Sequence, residues 1–201
     1  MLIQSSVNSF GSVVVAGNTA ASNIEGFVYT AMNSFYQAWL NFTSQNVGAR
    51  KTKRVVPILG LSLGCVMAVG MGLGFAAVLA GRQLLGIYSS DPEVISYGLS
   101  RIHVICLTYF LCGMMDVTCG SIRGLGVSVT PTVVSLTGAC GLRILWIYTI
   151  FAANRSLFVL YLSYPVSWAI TFAAHLVCFF LFFRKWKERV EREQERSAVS
   201  V

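Results

Sequence analysis

Residues 102–122 read "IHVICLTYFLCGMMDVTCGSI", an apolar run bounded by Arg101 and Arg123, with Asp116 its only acid and His103 its only basic residue. As a helix rising ~1.5 Å per residue, it is about as long as a bilayer's hydrocarbon core is thick, ~30 Å. A carboxylate inside lipid is costly, so Asp116 belongs at a protein interior or a water-filled cavity. The fold depends on whether the rest of the chain has the same character.

It does. The 201 residues are 55% hydrophobic and 11% charged, with a mean hydropathy of +0.67. A soluble domain carries ~25% charged residues, so this chain could not coat itself for water. The net charge of +7 does not point to nucleic acid, because the basic residues cluster between apolar blocks and at the chain end, as in cytoplasmic loops. The six cysteines (65, 106, 112, 119, 140 and 178) lie inside apolar segments without zinc-ligand spacing, which predicts reduced packing residues. Residues 1–16 lack the basic start of a signal peptide and look like the latter part of a spanning helix.

Working outward, six apolar segments are legible: 1–17, 18–45, 55–81, the Asp116 segment, 128–153 and 157–183. The expected fold is all-α, a polytopic helical membrane bundle with five full transmembrane helices and one truncated N-terminal helix. Residues 1–183 would form the six-helix lobe and 184–201 a charged cytoplasmic tail. Basic clusters follow the second, fourth and sixth segments ("ARKTKR", Arg123 and "RKWKERVERE"), which places those ends and the C-terminus in the cytoplasm. Arg82 and Arg101 count against this without reversing it. The third segment carries two small-xxx-small pairs, Gly60/Gly64 and Gly70/Gly74, which predict close helix packing.

The second segment carries a polar stripe at helical spacing: Asn18, Ser22, Glu25, Tyr29, Asn33, Tyr36, Gln37, Asn41, Ser44 and Gln45. Such a stripe in a spanning helix must meet water or other polar groups. It reads as the lining of an aqueous cavity, with Glu25 an ionisable site; the alternative is a stripe packed on a polar helix in a static bundle. Asp116 has small neighbours and Tyr109 two turns back, and reads as an ion-coupling carboxylate unless it pairs with an arginine such as Arg143. Arg143 is either a counter-charge or a side chain reaching toward the outer surface. Tyr161, Tyr164, Trp168, Thr171 and His175 align on the last segment around Pro165, as packing and interface anchors or as aromatics that hold a flat cation. His175 reads as a hydrogen-bonded core residue. No Ser-His-Asp set, phosphate loop or metal motif is legible, which points away from an enzyme and from a cofactor.

The stretch "ASNIEGFVYTAMNSFYQAWLNFTSQNVGARK", followed later by "SIRGLGVSVTPTVV", resembles the multidrug and toxic compound extrusion (MATE) transporters. The "QNVGA" helix end and the "RGLG" turn with Pro131 shortly after carry the likeness. The resemblance implies the C-terminal half of a two-lobe, twelve-span antiporter that exchanges small organic cations for H+ or Na+ by alternating access. It aligns Asp116 with the cation-coupling acid of the tenth span and places Glu25, the second acid expected to take part in cation coupling, on the eighth. Tyr29, Asn33, Gln37, Tyr109 and Arg143 would line the cavity, and a sodium ion, if that is the coupling ion, would bind at Asp116. The implied partners are membrane lipid, a missing N-terminal lobe and the substrate, with the chain in a bacterial cytoplasmic (inner) membrane. The rival readings are a lipid-linked oligosaccharide flippase lobe and an inert fragment or scaffold. A flippase cavity should be strongly cationic to hold pyrophosphate.

Overall fold

The computed structural model describes residues 2–199. The described residues form α1 (Leu2–Asn8), α2 (Ser12–Gly48), α3 (Thr52–Leu79), α4 (Gly81–Tyr88), α5 (Pro92–Gly124), α6 (Val129–Phe151) and α7 (Leu157–Val199). The helix α6 contains two stretches of π winding, Leu136–Gly141 and Ile147–Phe151. By length and composition, α3, α5, α6 and α7 through Ser197 can each cross a membrane. The 37-residue α2 is long enough but too polar to meet the same measure. The all-α, multi-pass membrane architecture expected from the sequence is therefore present, with α2 as its polar member.

The helix ends follow local chemistry. Asp91 caps α5 by accepting a 2.9 Å hydrogen bond from the Glu93 N–H, and Pro92 supplies the pre-set first turn. At the other end, "RGLG" is a stop: Gly126 takes φ +88°, and its N–H donates to the Arg123 carbonyl at 2.9 Å. Gly124 in the same motif lets α5 lie against Thr43 of α2, where a Cβ would clash. The first helix boundary differs from expectation. The break falls at residues 9–11, with Gly11 at φ 100°, rather than near Gly17. Gly17 stays helical, because its missing Cβ admits the Val94 carbonyl of α5.

The central element is α5, which packs against α2, α3 and α7. Ile24, Val28 and Met32 of α2, Val66 of α3, Ile102, Ile105 and Met115 of α5, and Trp168 and Phe179 of α7 form one buried cluster. A smaller cluster of Val7, Val14, Phe151 and Leu160 ties α1 to the facing ends of α6 and α7. Of the two glycine pairs in α3, only Gly70 and Gly74 touch α5, at Phe110 and Cys106; Gly60 and Gly64 face open space. Small-residue spacing alone does not say which face of a helix meets protein. The six cysteines are free. The helix α7 runs unbroken through Pro165 and into the charged tail, and Arg50 after α2 meets Glu193 at 3.0 Å.

Candidate ion and substrate site

Two ionic centres lie along α5, separated by four helical turns. At the first, Arg101 grips Glu25 with a two-pronged ion pair, Nε to Oε1 and Nη2 to Oε2, both 2.7 Å. Its Nη1 donates to the Asn18 side-chain oxygen at 2.6 Å. Glu25 and Arg101 are 6% and 5% exposed, so the pair is sealed between α2 and α5. Tyr161 and Tyr164 of α7 lie 5.7 and 5.5 Å from the guanidinium carbon, measured to their ring centroids. Both oxygens of the carboxylate are thus engaged by one planar fork. Arg101 is not an outer loop charge; it is the counter-charge of Glu25.

Asp116 stands differently. Among the described residues no hydrogen bond or salt bridge reaches it. It lines an open cleft of about 230 Å³ with Tyr29, Asn33, Tyr36, Cys119, Arg123 and Ser135. The helix α2 contributes the tyrosines and Asn33, α5 the acid and Arg123, and α6 Ser135. Arg123, in the same cleft, donates from Nη1 to the Tyr36 hydroxyl at 2.8 Å and from Nη2 to the Thr132 hydroxyl at 3.1 Å. Small neighbours make the room: a Cβ on Gly120 would meet the Tyr36 ring at 3.0 Å. Among the described residues no three of His, Cys, Asp and Glu come together to hold a metal ion. A sodium ion here would rely on Asp116 plus amide and hydroxyl oxygens, the hard donors such a cation prefers.

Of the remaining residues singled out from the sequence, only two reach this cleft. Tyr29 and Asn33 line it; Gln37 is exposed further along the same face of α2. Tyr109 is buried and packs on Trp168, ring centroids 5.3 Å apart, without donating to Asp116. Arg143 donates from Nε to the Ser167 hydroxyl at 3.0 Å and lies over Tyr164, 4.2 Å from its centroid. The aromatic faces of α7 are thus already shared by two guanidinium groups. His175 is buried between the Met115 and Pro131 carbonyls, at 3.4 and 3.3 Å, with the Ser135 hydroxyl also 3.3 Å away.

This lobe, with one sealed ion pair and one open carboxylate, has relatives. The family model described as MatE matches residues 1–149. The chain belongs to the MATE family. It is 19% identical to the "Probable multidrug resistance protein YoeA" of Bacillus subtilis over 82% of this chain and 36% of that protein. It is 25% identical to the "Probable multidrug resistance protein NorM" of Chromobacterium violaceum over 65% of this chain and 28% of that one. The chain therefore spans about a third or less of the length of these curated relatives. Among solved structures, the MATE transporter VcmN of Vibrio cholerae in its bent form superposes with a TM-score of 0.81 at 15% identity, over 90% of this chain and 41% of that one. At that identity the likeness is one of fold.

Two features of this MATE chain were not legible in the sequence. Arg101 gave no sign of facing Glu25, since its position at the start of an apolar run reads as a loop boundary. Ser135 and Arg123 join the cleft through the α5–α6 turn, and only the "RGLG" stop hinted at that.

Proposed function

We propose that this chain acts as the C-terminal lobe of a cation-coupled antiporter that exports small organic cations across a bacterial cytoplasmic membrane, with its C-terminus in the cytoplasm. One observation carries the reading: Asp116, on a membrane-crossing helix, opens onto a polar cleft without a salt-bridge partner. A carboxylate held that way in a membrane protein is a place for a proton or a sodium ion. Ion loading neutralises the cleft and favours release of substrate outward; ion release to the cytoplasm resets it. Tyr29, Asn33 and Tyr36 offer the polar lining through which the ion and a substrate would pass. Glu25 has a separate role in this scheme, joining α2 to α5 so that both walls of the cleft move together. In this reading a second, N-terminal lobe completes the cavity, which the partial coverage of the relatives supports.

A flippase lobe built to hold pyrophosphate would gather cations around its cavity. Here the cleft sets one carboxylate opposite one arginine, which suits ion exchange better. The test is Asp116→Asn in the transporter assembled with its N-terminal lobe, followed by dye efflux from proteoliposomes under an imposed H+ or Na+ gradient. Gradient-driven efflux should disappear while expression and folding persist. Undiminished efflux removes Asp116 from the mechanism.

A further inference from the structure

The helix α3 carries a glycine pair that the packing of the lobe leaves unused. A Cβ on Gly60 or Gly64 would meet nothing within 4 Å, while Val55, Leu59, Ser62 and Val66 bury the opposite side of the same turns. Steps of four, three and four residues lead from Lys53 through Pro57 and Gly60 to Gly64, so these share one face of α3. Beside that face lies a cleft of about 370 Å³, lined by Asn46 of α2 and by Lys53, Arg54, Pro57, Ile58 and Leu61 of α3. Its mouth is cationic and its floor is apolar. Leu61 is 66% exposed on a helix able to cross a membrane. The floor therefore runs into the hydrocarbon, and the mouth sits at the membrane boundary.

The charge at the mouth is uncompensated. Among the described residues no hydrogen bond or salt bridge reaches the side chain of Lys53 or Arg54. The acids at this end of the lobe lie on the tail of α7, and most are engaged elsewhere. Glu188 pairs with Arg184 and Arg192, Glu191 with Lys187, and Glu193 with Arg50. Asn46 donates from Nδ2 to the Phe42 carbonyl at 2.9 Å, which leaves its side-chain oxygen as an acceptor. A small soluble anion would use the mouth and leave the apolar floor bare. A lipid without net charge would cover the floor and leave both cations without a counter-charge. A molecule with an anionic headgroup and an acyl chain satisfies both parts.

We infer that this furrow seats an anionic phospholipid, its phosphate between Lys53 and Arg54 and one acyl chain over Ile58, Leu61 and the Gly60/Gly64 face. A headgroup hydroxyl reaches the Asn46 side-chain oxygen, so the lipid joins the end of α2 to the start of α3. The site requires only that α3 spans the bilayer. It does not depend on ion coupling at Asp116 or on the identity of the exported substrate.

Native mass spectrometry of the purified full chain in detergent, titrated with phosphatidylglycerol or phosphatidylcholine of identical acyl chains, gives the two lipid affinities. Phosphatidylglycerol should bind about tenfold tighter, within what two cations contribute at an anionic headgroup. Lys53→Gln combined with Arg54→Gln should remove that preference. Lys185→Gln combined with Arg189→Gln takes the same charge from the tail of α7 and should leave it intact, which separates a seat from general attraction. Leu61→Trp keeps every charge but fills the furrow, and should weaken phosphatidylglycerol severalfold. Inorganic phosphate at millimolar concentration should not displace the lipid. All five substituted side chains are exposed, so the variants should fold, and their melting temperatures check this. Equal affinity for the two lipids overturns the inference, as does a preference that survives substitution at 53 and 54 or falls equally in the tail variant. So does displacement by phosphate, or a Leu61→Trp chain that binds as before.

Discussion

At the scale of single residues, the contrast between Glu25 and Asp116 decides what each can do. Both are acids in apolar surroundings, and from sequence they read alike. Glu25 meets a guanidinium fork at 2.7 Å on both oxygens; Asp116 meets none. Removing one member of such a pair leaves a buried, uncompensated charge, which typically costs about 3–5 kcal/mol. Arg101→Met should therefore lower thermal stability in detergent severely. The double variant Glu25→Leu with Arg101→Met should regain most of the loss, since an apolar pair of similar volume needs no counter-charge. If the double variant is as unstable as the single, the ion pair is not what α2 and α5 depend on here. Asp116 was legible because an acid in the middle of an apolar run has few structural uses. The partner of Glu25 was not, because pairing between helices 76 residues apart leaves no trace in local periodicity.

At the scale of elements, α5 is the hub because its neighbours can come close to its backbone. Gly74 of α3 lies against the Cys106 carbonyl, Gly17 of α2 against that of Val94, and Gly124 of α5 against Thr43. Without a hydrophobic drive between helices in lipid, such close approach supplies the packing contacts that hold a bundle together. Gly74→Ala puts a methyl group into a carbonyl and should cost about 1–3 kcal/mol through forced backbone shifts. Gly64→Ala, on the open side of the same helix, should be neutral or slightly stabilising, since alanine is the better helix former by about 1 kcal/mol. Thermal unfolding of the two variants side by side checks this, and equal melting temperatures would contradict the assigned faces. The apolar segments announced nearly every spanning helix, because hydropathy over a bilayer's thickness is a strong signal. The π winding of α6 and the helical Gly17 were hidden, since both depend on what the facing helix presents.

At the scale of the whole molecule, the polar stripe of α2 divides in two. Asn18, Ser22 and Glu25 are buried or half-buried inside the lobe, whereas Asn33, Gln37, Asn41 and Ser44 are exposed and Tyr29 is 44% exposed. The other exposed surface of α2 presents Phe27 and Phe42. Polar side chains on a spanning helix are costly against acyl chains, while phenylalanine is at home there. In the proposed transporter one face would meet lipid and the other a hydrated chamber that a second lobe closes. Single cysteines at Asn33, Gln37, Phe27 and Phe42, each in a background lacking the six native cysteines, separate the two faces in intact membranes of cells expressing the assembled transporter. A hydrophilic maleimide should label Asn33→Cys and Gln37→Cys, because a thiol must reach water to form the reactive thiolate. Phe27→Cys and Phe42→Cys should stay unmodified until detergent is added. Labelling by substrate-protected chemistry adds the last step: a bound organic cation should slow modification at position 33, which lies in the Asp116 cleft, more than at position 37. Equal labelling of all four positions would mean that α2 has no wet face, and the carboxylate at 116 would then lack a route to the ion it is proposed to bind.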